Sequence, residues 1–365
     1  MTVVVVGGGV AGTAAAWLLA QEGVECVLYH ERAGASALYA GAVDGDAPGD
    51  ELAGFAAALG LWRLGPCTVA SPDGLARPAL GRDAALLDLG EWAGRRVAVA
   101  DVARDGWDAR LVARSLGLEA VPVTGLREDY ERRLGDWDFA ALHDEPGRAA
   151  WLAEHLARAG EGVDAWLVGP WLGTMPGVAA RVTELAGKPV GETLSMLDGP
   201  AGSRFEAARD ALLGTRARRG RVTRVARDGA GFRVALEDGE ALEAEAVVLA
   251  TGGVAAGGIR LEPPLAGHAG GAGFALGFDA PVTLELDGVL ADRASTLHGV
   301  DFERLGRDVV ERIGAVSAVE GLALAGDLLA GRPRNVLEAV RSGLAAARRV
   351  ARAVRAAPPA SRCAP

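Results

Sequence analysis

Apolar residues change their spacing abruptly along the first thirty positions. Val3 to Val6 is an unbroken β-branched run, the pattern of a strand buried on both faces. Glycines follow, then an Ala/Leu-rich stretch from Thr13 to Glu22 that reads as a helix, then an apolar strand from Glu25 to Tyr29. Val3 to Ala20 carries no charge, the mark of a membrane span or signal peptide. Yet no Lys or Arg precedes it and four glycines interrupt it, so it reads as strand, turn and helix.

Further along, helical patterns are expected over residues 50–65 and within 105–117, with a strand at 95–101. Residues 127–160 are charged and helix-rich. Trp137, Trp151, Trp166 and Trp171 gather in this half, where a core or domain-contact role is expected. A turn at 187–190 and an amphipathic helix from Arg204 to Leu213 come next. Alternation at 221–225, 232–236 and 242–245, punctuated by Gly and Asp-Gly, predicts a three-stranded antiparallel meander. An apolar strand, Ala246 to Ala250, then ends in Thr251-Gly252-Gly253. A last strand at 321–325 ends in Gly326-Asp327, before a long helix from about Val336 to Val354.

Composition narrows the class. The chain has 365 residues, half of them hydrophobic, which suffices for a large core and excludes disorder as its main state. Its net charge of −10 argues against a nucleic-acid partner. Three scattered cysteines, Cys26, Cys67 and Cys363, form no CxxC, so neither a zinc ribbon nor an iron–sulfur cluster is expected from this chain alone. No metal site is expected from the five histidines. A cytoplasmic protein without direct membrane insertion is expected.

Gly7-Gly8-Gly9-Val10-Ala11-Gly12 spells GxGxxG between a predicted strand and a predicted helix. Gly7 permits the tight turn, Gly9 lets a pyrophosphate approach the backbone, and Gly12 lets helix and strand pack closely. The helix start then offers N–H groups and a positive dipole end to the anion. The acid that would hold an adenosine ribose is replaced by His30, with Glu31 next to it. The small residues at 36–44, Ser36 and Ala37 first, would let a flat ring lie against the backbone. Asp327 could accept from ribityl hydroxyls, with the following helix facing a flavin's pyrimidine end.

GxGxxG, a meander leading into Ala-Thr-Gly, and a late Gly-Asp before a helix together resemble a two-dinucleotide-binding-domain flavoprotein. The stretches 34–39, 41–44, 185–190, 200–205 and 251–259 further resemble the B subunit of anaerobic glycerol-3-phosphate dehydrogenase. That family also lacks the acid at the His30 position. The resemblance implies a flavin subunit working with a catalytic flavoprotein and an iron–sulfur subunit, with any membrane association made through those partners. FMN is associated with that family, but GxGxxG suits a pyrophosphate, so FAD is expected and FMN is the alternative. Gly270 to Leu276 loosely resembles the fumarate reductase flavoprotein group. The histidine that tethers flavin in that group has no counterpart near residues 36–39, so the flavin is expected to be non-covalent.

The expected fold is α/β: a Rossmann-like FAD/NAD(P)-binding domain, glutathione-reductase-like, with an inserted α+β second domain. The flavin domain is assigned to 1–47, 200–262 and 318–358, the inserted domain to 48–199 and 263–317, and a flexible tail to 359–365. Cofactor contacts are expected at Gly7, Gly9, Val10, Ala11, Gly12, His30, Glu31, Ser36, Ala37, Thr251, Gly252, Gly253, Gly326 and Asp327. Candidate catalytic residues are His268 and His298, for proton transfer, and Arg204, for an anionic substrate. The expected function is a redox subunit of a multi-subunit dehydrogenase acting on a small molecule. The alternative is a free-standing FAD-dependent oxidoreductase of the fumarate-reductase-like group.

Overall fold

The computed structural model describes residues 2–31, 34–46, 49–197, 199–262, 273–286, 289–291 and 313–356. The chain divides into two compact units, Met1–Ala35 with Leu213–Pro365, and Ser36–Leu212.

The first unit opens with β1 (Thr2–Val6), α1 (Val10–Gln21) and β2 (Glu25–His30). Val3, Val4 and Val5 are fully buried, as a strand covered on both faces requires. The second unit then begins, with α2 (Asp50–Leu59) and an antiparallel hairpin, β3 (Trp62–Ala70) and β4 (Ala76–Asp83). The helix expected over 50–65 therefore ends early: Gly60 takes a left-handed φ of 69° and stops it, and the chain turns into β3.

A parallel sheet follows, made of β5 (Val97–Asp101), β6 (Glu119–Pro122), β7 (Ala165–Val168) and β8 (Val190–Glu192), in the order β6-β5-β7-β8. Between its strands run α3 (Ala109–Leu116), α4 (Asp136–His143), α5 (Pro146–Ala159) and α6 (Val178–Ala186). Asp108 caps α3 by accepting the Leu111 N–H at 2.9 Å. Only the first of these strands was expected from sequence, so the second unit is richer in parallel sheet than the α+β expectation. Trp166 and Trp171 lie in its core, whereas Trp137 is exposed. The unit closes with α7 (Ala201–Leu213).

The chain returns to the first unit through β9 (Ala217–Arg219). The meander is present as β10 (Val222–Asp228), β11 (Gly231–Leu236) and β12 (Ala241–Ala244). Phe232, Val234 and Leu236 alternate inward along β11 and join a core with Val4, Val6 and Val247. Next come β13 (Ala246–Leu249), then β14 (Ile259–Glu262) paired with β15 (Gly273–Leu276). A three-stranded sheet combines β16 (Thr283–Leu286), β17 (Val289–Ala291) and β18 (Ile313–Val316). Although 263–317 was assigned to the inserted domain, the described strands there belong to the first unit. Asp279 ties them to the meander, donating its N–H to Thr223 at 3.0 Å and accepting from Val225 at 2.7 Å.

The last elements are β19 (Leu322–Leu324) and α8 (Val336–Ala356). The first unit's main sheet is parallel throughout, in the order β19-β13-β1-β2-β9. This is a Rossmann-like arrangement, with α1 and α8 packed against each other. Gly343 of α8 sits where a Cβ would overlap the Ala11 carbonyl, so these helices approach more closely than a side chain would permit. Among the described residues no helix is long and apolar enough to cross a membrane.

Candidate functional site

Ligands of parallel α/β sheets bind outside the carboxyl ends of the strands. In the first unit, three loops leave that edge side by side. The first is Gly7–Gly12, after β1. Gly7 donates its N–H to Tyr29 at 2.8 Å and then turns with a φ of 114°. A side chain there would meet strain, and its Cβ would overlap the Ala250 carbonyl. A Cβ on Gly12 would overlap the Gly7 carbonyl. Gly9 is the N-cap of α1, with extended backbone (φ −74°, ψ −175°), no side-chain cap and no acid in the first turn.

The second loop, Thr251–Gly253, follows β13 and Ala250, whose N–H donates to Val6 at 2.8 Å. The Thr251 hydroxyl is buried and has no hydrogen-bond partner. An orphaned buried hydroxyl costs roughly 1–3 kcal/mol, which a hydrogen bond to a ligand atom would offset. The third loop, Gly326-Asp327, follows β19. Gly253 lies against it, since a Cβ there would be 2.7 Å from the Asp327 carbonyl oxygen. The Ser342 hydroxyl of α8 accepts the Gly326 N–H at 2.9 Å, a link that the sequence pattern did not signal. Burial raises the Asp327 carboxyl above its ordinary pKa, and Arg334 pulls in the opposite direction.

At the end of β2, His30 accepts the Gly220 N–H through its carbonyl at 2.9 Å and lies in register with Arg219 of β9. The Glu31 carboxylate is 3.5 Å from Arg221, which also pairs with Glu237 at 3.1 Å. Ser36 and Ala37 belong to the second unit, in a short 3-10 helix over Gly34–Leu38. There Ala37 packs on Gly202, where a Cβ would lie 2.5 Å from the Ala37 carbonyl oxygen.

His268 and His298 lie outside the described residues. Arg204 is described, and its surroundings correct the expectation of a substrate-binding role. Its side chain is 1 % exposed. Nε donates to Asp83 at 2.8 Å, Nη1 to the Gly173 carbonyl at 2.8 Å, and Nη2 to Glu192. The carboxylates are equally buried and take backbone N–H groups with their second oxygens, Asp83 from Ala85 at 2.9 Å and Glu192 from Leu172 at 2.8 Å. Burial pushes Glu192 above the usual carboxylate range, and Arg204 opposes that shift. The guanidinium thus fastens α7 to the hairpin and to the parallel sheet. Sequence could not single out its partners, one of which is 121 residues away.

Arg334 is also committed, donating to Leu329 at 2.9 Å and Ile313 at 2.8 Å. Among the described residues no group of three or more His, Cys, Asp or Glu side chains could hold a metal ion. Cys26 is buried, which pushes its thiol up to about 11 and makes it a poor nucleophile.

Residues 5–50 match the model of the NAD(P)-binding Rossmann-like domain, in agreement with the first unit's sheet and turn. No curated protein sequence matches the chain. Among solved structures, it is similar to the GidA-related protein from Thermus thermophilus, at 14% identity over 97% of each chain and a TM-score of 0.33. It is similar to CtdE in complex with FAD at 12% identity, over 97% of this chain and 88% of that one, with a TM-score of 0.35. The peptidyl tryptophan dihydroxylase QhpG gives 15% identity, 97% and 67% coverage, and 0.32. With scores below 0.5, these likenesses carry no weight for the activity of this chain.

Proposed function

We propose that the protein is a flavin-dependent oxidoreductase that holds FAD without a covalent link. The observation that carries this reading is the convergence of Gly7–Gly12, Thr251–Gly253 and Gly326-Asp327 on one carboxyl edge, with the buried Thr251 hydroxyl left unpaired. The residues fit a dinucleotide. The turn and the start of α1 would hold the pyrophosphate, which FMN lacks, Thr251 would bond a polar ligand atom, and Asp327 would accept from ribityl hydroxyls. FAD, when bound, supplies reversible two-electron transfer.

Within that class, the finer reading is a redox subunit of a multi-subunit dehydrogenase, acting on glycerol 3-phosphate or a similar anion. A catalytic flavoprotein and an iron–sulfur protein would be its partners. Its support is the sequence resemblance, together with three scattered cysteines that cannot build an electron relay. The test is kinetic: isolated protein, glycerol 3-phosphate and an artificial electron-accepting dye, with and without the co-expressed partners. Dye reduction only with partners supports the subunit reading. Brisk reduction by the isolated chain favours the free-standing oxidoreductase, and none with partners makes glycerol 3-phosphate the wrong substrate.

A further inference from the structure

The second unit carries a cavity that plays no part in the dinucleotide site. It lies between the start of β5, the end of α3 and the turn at 90–95, with a volume of about 650 Å³. That falls within the range of small-ligand sites. Leu89, Leu116 and Leu118 line it, all partly buried against the unit's core, and the Trp92 indole forms one wall. Its single charged lining residue, among the described residues, is Arg95 at the exposed rim.

The turn holds Arg95 and Trp92 together. The Arg95 N–H donates to the Trp92 carbonyl at 3.1 Å, and the guanidinium carbon stands 5.5 Å from the Trp92 ring centroid. Among the described residues no carboxylate pairs with Arg95. The adjacent Arg96, by contrast, is 2.9 Å from Glu119 and donates to the Glu161 carbonyl at 3.0 Å. The cavity thus offers largely apolar walls with the hydroxyl residues Thr68 and Ser115, one aromatic residue and one uncommitted guanidinium with the planar fork that matches a carboxylate. A single cationic lining residue disfavours a polyanion, because its further charges would be desolvated without a counter-charge. An amine would meet Arg95 as a like charge.

We propose that this cavity binds a small monocarboxylate with a flat apolar body, the carboxylate on Arg95 and the body between Trp92 and the three leucines. The test is calorimetric titration of the full-length protein at neutral pH with phenylacetate. Phenethylamine serves as the same body with opposite charge, and acetate as the same charge without the body. Phenylacetate is expected to bind at least about tenfold more tightly than either control, and Arg95→Gln to lose about tenfold of that affinity. Arg95 is exposed, so Arg95→Gln is expected to unfold at an unchanged temperature. Trp92→Leu should weaken phenylacetate binding and leave acetate unaffected. No phenylacetate binding at millimolar concentration would overturn the proposal. So would equal binding of phenethylamine, or affinity undiminished in Arg95→Gln.

Discussion

Replacing Arg204 by methionine would leave two carboxylates, Asp83 and Glu192, inside the second unit without a cation. Both are almost fully buried, 1 % and 0 % exposed, so water cannot take over the role of the guanidinium. Breaking a buried pair in this way costs about 3–5 kcal/mol, a large share of an ordinary stability of about 5–15 kcal/mol. The deficit should depend on pH. Without Arg204, burial and the nearby Asp83 charge raise the Glu192 carboxyl with no guanidinium to oppose them. A raised acid contributes stability that is fully present below its unfolded pKa and lost as pH rises through its folded one. Arg204→Met should therefore be several kcal/mol less stable than the parent at pH 8 and less impaired at pH 5. Urea unfolding of the full chain, followed by far-UV circular dichroism at both values, measures this. Adding Asp83→Asn and Glu192→Gln to Arg204→Met should restore part of the loss at pH 8 and remove the pH dependence. A deficit below about 1 kcal/mol at both values would refute the account and return Arg204 to the substrate candidates.

Gly9 has extended backbone that needs no glycine, so Gly9→Val should keep its circular dichroism spectrum, lose about 1 kcal/mol at the N-cap of α1, and lose at least about tenfold in FAD affinity. Gly12→Ala should instead destabilise the fold by about 1–3 kcal/mol, because its Cβ overlaps the Gly7 carbonyl. Asp327→Ala should weaken flavin retention at unchanged circular dichroism, and unchanged flavin occupancy would remove Asp327 from the site. His143 is buried beside Arg148 and Arg104, and burial above all lowers its pKa from 6.5 to about 3. The unfolded chain therefore binds this proton first, and stability falls as pH drops from 6.5 towards 3, by about 2 kcal/mol at pH 5. In His143→Asn that part of the acid sensitivity should disappear from urea midpoints measured at pH 7 and pH 5.

Much of the first unit was legible because its signals are local. The Val3–Val6 run, the glycine turn and the alternation of the meander each act within a few residues, and β1, α1 and β10–β12 follow them. The second unit was less legible. Its strands β6, β7 and β8 have four, four and three residues, too few for a period to emerge. Strand β3 contains Gly65 and Pro66, which read as breakers yet sit at an irregularity between Leu64 and Cys67. The carboxyl-edge loops were visible as motifs, whereas the commitment of Arg204 depends on long-range packing that no spacing encodes. The same limit applies to Glu31, whose pairing with Arg221 joins the end of β2 to the start of β10.

The proposed mode of binding is FAD held without a covalent bond at the carboxyl edge of the first unit. Its most direct test is acid precipitation of the purified protein, or of protein first incubated with FAD, with chromatographic identification of whatever flavin enters the supernatant. All yellow colour is expected to be released and identified as FAD, and Gly9→Val, prepared identically, is expected to release almost none. Colour retained in the pellet, FMN as the released species, or a parent protein that takes up no flavin at all would contradict it.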